Sequence, residues 1–150
     1  MTDLRFAGGD ELTAAELYAL LTLRTRVFVV EQQAPYPELD GRDLLPDTEH
    51  IWYPSSGEPQ AYLRLLREPD GGWRIGRVCT TRATRGTGLG ARVMTAAMDR
   101  IGDDPAVLDA QTYATDFYAR FGFTTEGEPY ADEDGIEHIT MRRRAVERSG

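Results

Sequence analysis

The chain has 150 residues, 25 acidic and 17 basic side chains, 41% apolar content, one cysteine and a formal charge of −8. That length fits one domain, residues 1–150, able to bury roughly 68–70% of its unfolded surface, so folding needs no metal or disulfide. Cys79 has no partner for an internal bridge, the N-terminus has no signal-type apolar core, and no apolar run nears the ~18 residues of a membrane span; these features, with the negative charge, point to a cytoplasmic protein that binds neither membrane nor nucleic acid.

Leu4–Ala7 reads as a short strand ended by Gly8-Gly9-Asp10. A helix follows, because Thr13-Ala14-Ala15-Glu16 is a capping box and Leu12 with Leu17 is spaced as a hydrophobic staple. Leu17, Leu20, Leu21, Val27 and Phe28 continue as an apolar stripe of helical period. Arg24 falls inside that stripe, either as an ion pair at the core edge or as a group facing a substrate cleft. Residues 31–48 carry Pro35, Pro37, Gly41 and Pro46 and read as a long loop, a feature often tied to function. Glu49–Tyr53, Ala61–Arg67 and Trp73–Thr80 are strands joined by short turns, an antiparallel meander. A helix from about Leu89 to Ile101 puts Val93, Ala97 and Ile101 on one side. Ala106–Ala110 is a strand, and Thr112–Phe121 a helix stopped by Gly122. Phe123–Glu126 and Ile136–Met141 make a last strand pair, with Asp132-Glu133-Asp134-Gly135 as an acidic turn that lacks calcium-loop spacing. The fold class expected is α+β, a mixed, mostly antiparallel sheet flanked by helices.

Residue types exclude several chemistries. The 17 basic residues are all arginine, which removes a Gly-Lys-Ser/Thr phosphate loop and lysine Schiff bases. Two histidines and one cysteine cannot make a four-ligand zinc site of nitrogen and sulfur, and none of the three serines sits in Gly-x-Ser-x-Gly. Gly86, Gly88 and Ala91 formally fit the dinucleotide spacing, but an antiparallel meander precedes them and too little chain follows for a doubly wound sheet. A glycine-rich helix cap and a pyrophosphate cradle are the other readings. In the cradle, successive backbone N–H groups at a helix start converge on an anion, and glycine permits close approach.

Here the chain resembles the GNAT N-acetyltransferases. Arg85-x-x-Gly88-x-Gly90 after a meander strand is similar to the family's Q/R-x-x-G-x-G/A signature. Phe117-Tyr118-Ala119-Arg120-Phe121-Gly122-Phe123 is similar to its Tyr-x-x-x-Gly-Phe helix end. Val27–Gln32, Pro35-Tyr36-Pro37, Leu39–Asp43, Ala110-Gln111 and Asp134-Gly135-Ile136-x-His138-Ile139-x-Met141 resemble the ElaA-type branch. The resemblance implies acetyl-CoA as co-substrate, with no metal. It implies pantetheine against the backbone of Val78, Cys79 and Thr80 at a splayed strand, and pyrophosphate on Arg85, Gly86, Thr87, Gly88, Leu89 and Gly90. Gln111 stands where many relatives contact the cofactor with asparagine, and Arg82 where many have proline.

The expected reaction is direct transfer of an acetyl group to a primary amine in a ternary complex. Tyr118 is the candidate acid for the leaving thiolate, with a packing role beside Phe117, Phe121 and Phe123 as its alternative. Glu31, Glu49 and His138 are candidate bases; His138 and His50 also read as structural histidines. Cys79 reads as a buried, inert thiol rather than a nucleophile. Six acids between Glu31 and Glu49, and six between Glu126 and Glu137, suggest acidic surroundings for a small cationic acceptor; five arginines from Arg74 to Arg92 suggest a basic edge for phosphates. A homodimer stays open, as does a non-catalytic acyl-CoA-binding or interaction module on the same fold.

Overall fold

The structure is a computed structural model that describes residues 3–35, 37–131 and 135–147. Tyr36 and most of the acidic turn, 132–134, lie outside the described residues. The strands are β1 (Arg5–Gly8), β2 (Glu49–Tyr53), β3 (Ala61–Arg67), β4 (Trp73–Thr80), β5 (Ala106–Gln111), β6 (Thr124–Ala131) and β7 (Glu137–Arg143). The helices are α1 (Ala14–Thr25), α2 (Leu89–Ile101) and α3 (Thr115–Ala119). One sheet runs in the order β1-β2-β3-β4-β5-β7-β6, and every neighbouring pair is antiparallel except β4–β5. This α+β sheet is the expected fold class, and its meander excludes the dinucleotide reading.

α1 begins where the capping box places it: the Thr13 side chain accepts from the Glu16 amide at 3.0 Å, and Glu16 accepts from the Thr13 amide at 3.0 Å. The helix then widens into a π-helical stretch, Arg26–Glu31, which turns Glu31 toward the end of β4. One apolar layer lies between the sheet and α2, built from Ile51, Leu63, Leu65, Ile75, Val93, Met94, Ala97, Leu108 and Met141. The other lies under α1, from Leu20, Leu23 and Val27 on the helix to Trp52, Tyr62 and Cys79 on the strands. Alternation along each strand divides the side chains between the two layers.

Two elements depart from the sequence reading. The segment expected as one helix over 112–121 is a 3-10 turn, Thr112–Ala114, followed by the five-residue α3. Its aromatics pack edge to face, Phe117 with Tyr118 at 5.0 Å and with Phe121 at 5.5 Å, so ring contacts rather than a long ladder hold it. β6 runs to Ala131 and is exposed throughout, so apolar alternation did not mark its second half.

Candidate active site

Two local irregularities open the sheet beside β4. Tyr62 pairs with Cys79 and Arg64 with Gly76, so Arg77 and Val78 together face Leu63. This is a β-bulge, and Arg77 in it has φ +54°, unusual for a residue with a Cβ. β4 pairs with β5 only at Trp73–Ala106 and Arg74–Val107. Beyond that point both strands continue without pairing, which leaves a gap lined by the second half of β4 and the end of β5. The Thr81 amide donates to Gln60 O on the β3 side at 2.9 Å. Strand alternation therefore turns the Thr80 amide and carbonyl to the opposite edge, into the gap.

The glycine loop sits at the mouth of this gap. Gly86 has φ +82° and Gly88 φ +88°, and a Cβ built on either meets nothing within 4 Å. Gly88 caps α2 with no side chain. The amides of Gly86, Gly88, Leu89, Gly90 and Ala91 have no hydrogen-bond partner among the described residues. The loop thus offers converging N–H groups at the positive end of a 13-residue helix, with open space in front. Gly90 closes it from behind, 3.7 Å (from its would-be Cβ) from both Phe117 and Thr80. Unpaired donors and empty volume fit a diphosphate, and the unpaired strand edge fits an amide-bearing arm, so the residues present suit coenzyme A. Among the described residues no cluster of His, Cys, Asp or Glu could hold a metal, and no helix is long and apolar enough to cross a membrane.

The individual site residues divide into those brought to the gap and those kept from it. Arg85 donates to the Thr80 carbonyl at 3.1 Å and pairs with Glu31 at 2.6 Å. Cys79 points away from the gap into the layer under α1, where burial pushes its thiol up to about 12. Tyr118 packs into the α2 layer, yet its hydroxyl has no partner among the described residues, and burial holds its pKa above the ordinary phenol value. Gln111 ends β5 and pairs with His138, which pairs in turn with Tyr130. His138 Nδ1 lies 2.8 Å from the Ile136 carbonyl, and its ring stacks on Tyr130 at 6.1 Å. A carbonyl can only accept, so Nδ1 carries the proton and Nε2 keeps a lone pair in the neutral ring. Glu49 is not brought to the gap. Both its oxygens take hydrogen bonds from Arg100 at 2.8 Å, and the Arg100 guanidinium covers Trp73, at the other end of β4 from Thr80.

Arg24 and His50 resolve as structural. Arg24 is fully buried and donates to Glu38 at 2.7 Å and Asp43 at 2.6 Å. Arg64 binds Asp43 at 2.9 Å and Asp40 through both terminal nitrogens, and Arg77 donates to Glu38 at 2.7 Å. Burial penalises the Asp43 carboxylate, but the bond from Arg24 and the fields of Arg24 and Arg64 outweigh it and hold its pKa below the ordinary value. His50, also buried, bridges the Tyr62 hydroxyl at 2.6 Å and the Asp43 carbonyl at 2.8 Å. The acidic run from Glu31 to Glu49 is therefore largely neutralised: five of its six acids, Glu31, Glu38, Asp40, Asp43 and Glu49, hold arginines, which cancels their attraction for a cation, and Asp47 is exposed. The only sequence trace of this network was Arg24 inside an apolar stripe; nothing local marked Arg77.

A turn of unpaired amides on a helix start, beside a splayed and bulged strand, matches the architecture expected of an acyl-CoA-dependent transferase. The acetyltransferase (GNAT) domain family matches residues 15–145, and the chain belongs to that family. It is 41% identical over 144 residues to the protein ElaA of Escherichia coli, covering 92% of this chain and 94% of ElaA. The E. coli ElaA crystal structure superposes with a TM-score of 0.85, 39% identity and coverage of 96% and 100% of the two chains. An acyl-CoA N-acyltransferase from Pseudomonas aeruginosa matches with a TM-score of 0.86, 45% identity and coverage of 95% and 99%. An aminoglycoside 6'-N-acetyltransferase solved with coenzyme A shares the fold, at a TM-score of 0.69, 12% identity and coverage of 97% and 99%.

Proposed function

We propose that this protein transfers an acetyl group from acetyl-CoA to a primary amine by direct attack in a ternary complex. The observation that carries the reading is the set of unpaired amides from Gly86 to Ala91 opening onto the β4–β5 gap. Bound acetyl-CoA would supply an activated thioester; Gly86, Thr87, Gly88, Leu89 and Gly90, with Arg85 beside them, would hold its diphosphate. Val78, Cys79 and Thr80 would offer backbone to the pantetheine arm, with Gln111 on the facing strand. A backbone N–H near Thr80 polarises the thioester carbonyl as negative charge grows on its oxygen.

The amine must first lose its ammonium proton. Glu31 and Glu49 both carry arginine partners, whereas His138 Nε2 has a lone pair and no partner among the described residues. His138 is the base in this reading, directly or through one water. Nitrogen then bonds to the acyl carbon and the carbon–sulfur bond breaks. The Tyr118 hydroxyl, kept protonated by burial, gives its proton to the departing sulfur, and the proton that the acylated nitrogen sheds restores the hydroxyl through solvent. With Glu38, Asp40 and Asp43 tied to arginines, Asp47 in the loop and Glu128 and Glu137 on the last hairpin are exposed acids that could attract a cationic acceptor.

Two measurements test the reading: calorimetry with coenzyme A, and thiol release from acetyl-CoA against a panel of amines. Binding with turnover on at least one amine is expected. Binding without turnover on any amine would leave an acyl-CoA-binding module; no binding at all would remove the assignment. Tyr118→Phe should keep coenzyme A affinity and lose about 100-fold in kcat.

A further inference from the structure

Glu38 is gripped by two guanidinium groups at once. Its Oε2 accepts from Arg24 Nε and from Arg77 Nε, each at 2.7 Å. Its backbone carbonyl accepts from Arg24 Nη2 at 3.4 Å and from Arg77 Nη2 at 3.0 Å. Arg24 belongs to α1, Glu38 to the loop from 32 to 48, and Arg77 to the bulge of β4. Glu38 and Arg24 are buried, and the same loop is tied again through Asp40 and Asp43 to Arg64 on β3.

The location of the bond sets its consequence. Arg77 holds a left-handed backbone in the middle of a strand, which the surroundings must enforce. Val78, the next residue, leads into the unpaired edge that faces the gap. Two bonds from one planar guanidinium, here to the carboxylate and to the backbone carbonyl of Glu38, fix direction as well as distance. The two bonds to Glu38 are the short contacts of the Arg77 side chain, with Asp40 farther off at 3.7 Å, so the grip on Glu38 orients it and pins the bulge.

We propose that Glu38 is a positioning residue for acyl transfer: through Arg77 it fastens the loop from 32 to 48 to the bulge and sets how the Val78–Thr80 backbone meets the thioester. This rests on the transferase reading above. Glu38 touches neither substrate; it acts through Arg77.

Arg77→Gly is the informative variant, because glycine accepts the backbone angle and Glu38 keeps Arg24 as partner, so the fold survives. Coenzyme A affinity by calorimetry should stay at the wild-type level, since the glycine loop is untouched. The kcat for thiol release should fall about 10- to 100-fold at unchanged KM for acetyl-CoA. Amide exchange in residues 37–44 and at Val78–Thr80 should rise together, by about tenfold. Arg77→Lys keeps the charge but not the planar two-point grip on carboxylate and carbonyl, and should fall between glycine and wild type. Unchanged kcat, affinity falling in step with kcat, or exchange rising in one segment alone would overturn the proposal. If the wild-type protein neither binds coenzyme A nor turns over, the transferase reading fails and the positioning role with it; the exchange arm then reports on the coupling between loop and bulge separately.

Discussion

Gly88→Val perturbs the proposed cradle where α2 begins. The residue sits at φ +88°, where a side chain costs roughly 1–2 kcal/mol, and a Cβ there meets nothing within 4 Å. The protein itself offers no clash, so the loss of stability should stop at that strain, a fall in Tm of about 2–8 °C for a domain of this size. The cost to ligand binding is larger. A valine side chain projects into the space that the amides of Gly86, Gly88, Leu89, Gly90 and Ala91 face, and hydrogen bonds to a charged group are worth about 1.5–3 kcal/mol each. Losing the equivalent of one or two, about 3 kcal/mol, weakens coenzyme A binding roughly 100-fold. Gly71→Val is the control: it has φ +90°, also meets nothing within 4 Å, and lies in the β3–β4 turn at the other end of β4. It should lose the same stability and bind coenzyme A as wild type. Calorimetric titration and thermal scans on both variants decide the matter. Equal affinity in the two variants would show that the loop does not hold the diphosphate.

Three further outcomes follow from the geometry. His138→Gln should cut kcat about 100-fold with coenzyme A affinity unchanged; acceptors already neutral at the assay pH should lose less than aliphatic ammonium compounds, and equal losses would count against a base. Asp43 has a pKa held below that of an unfolded aspartate, about 3.9, so its contribution to stability is whole above that value and is lost as pH falls toward the folded-state value. In urea titrations Asp43→Asn should therefore flatten the acid limb, and it should cost about 3 kcal/mol at neutral pH because Arg24 and Arg64 each lose a partner. Cys79, with its thiol raised to about 12 and its side chain buried, should resist iodoacetamide at pH 8 in the native protein and react once urea unfolds it. Fast native alkylation would contradict the packing under α1.

What local chemistry decides was legible before any coordinates. The capping box started α1 at the expected residue, since both of its hydrogen bonds close within four positions. Alternating glycines behind Arg85 marked the left-handed turn that opens α2, because left-handed backbone angles select glycine wherever they fall in a chain. The strand meander followed from period and turn residues. Tertiary structure alone decided the rest. The gap depends on where β4 and β5 stop pairing, the bulge puts arginine rather than glycine in a left-handed conformation, and neither leaves a local mark. Five of the six acids from Glu31 to Glu49 looked like a charged surface and became internal ties, because their arginines come from α1, β3, β4, the glycine loop and α2. Charge is a property of residues, but its neutralisation depends on which distant residues the fold brings within hydrogen-bond reach.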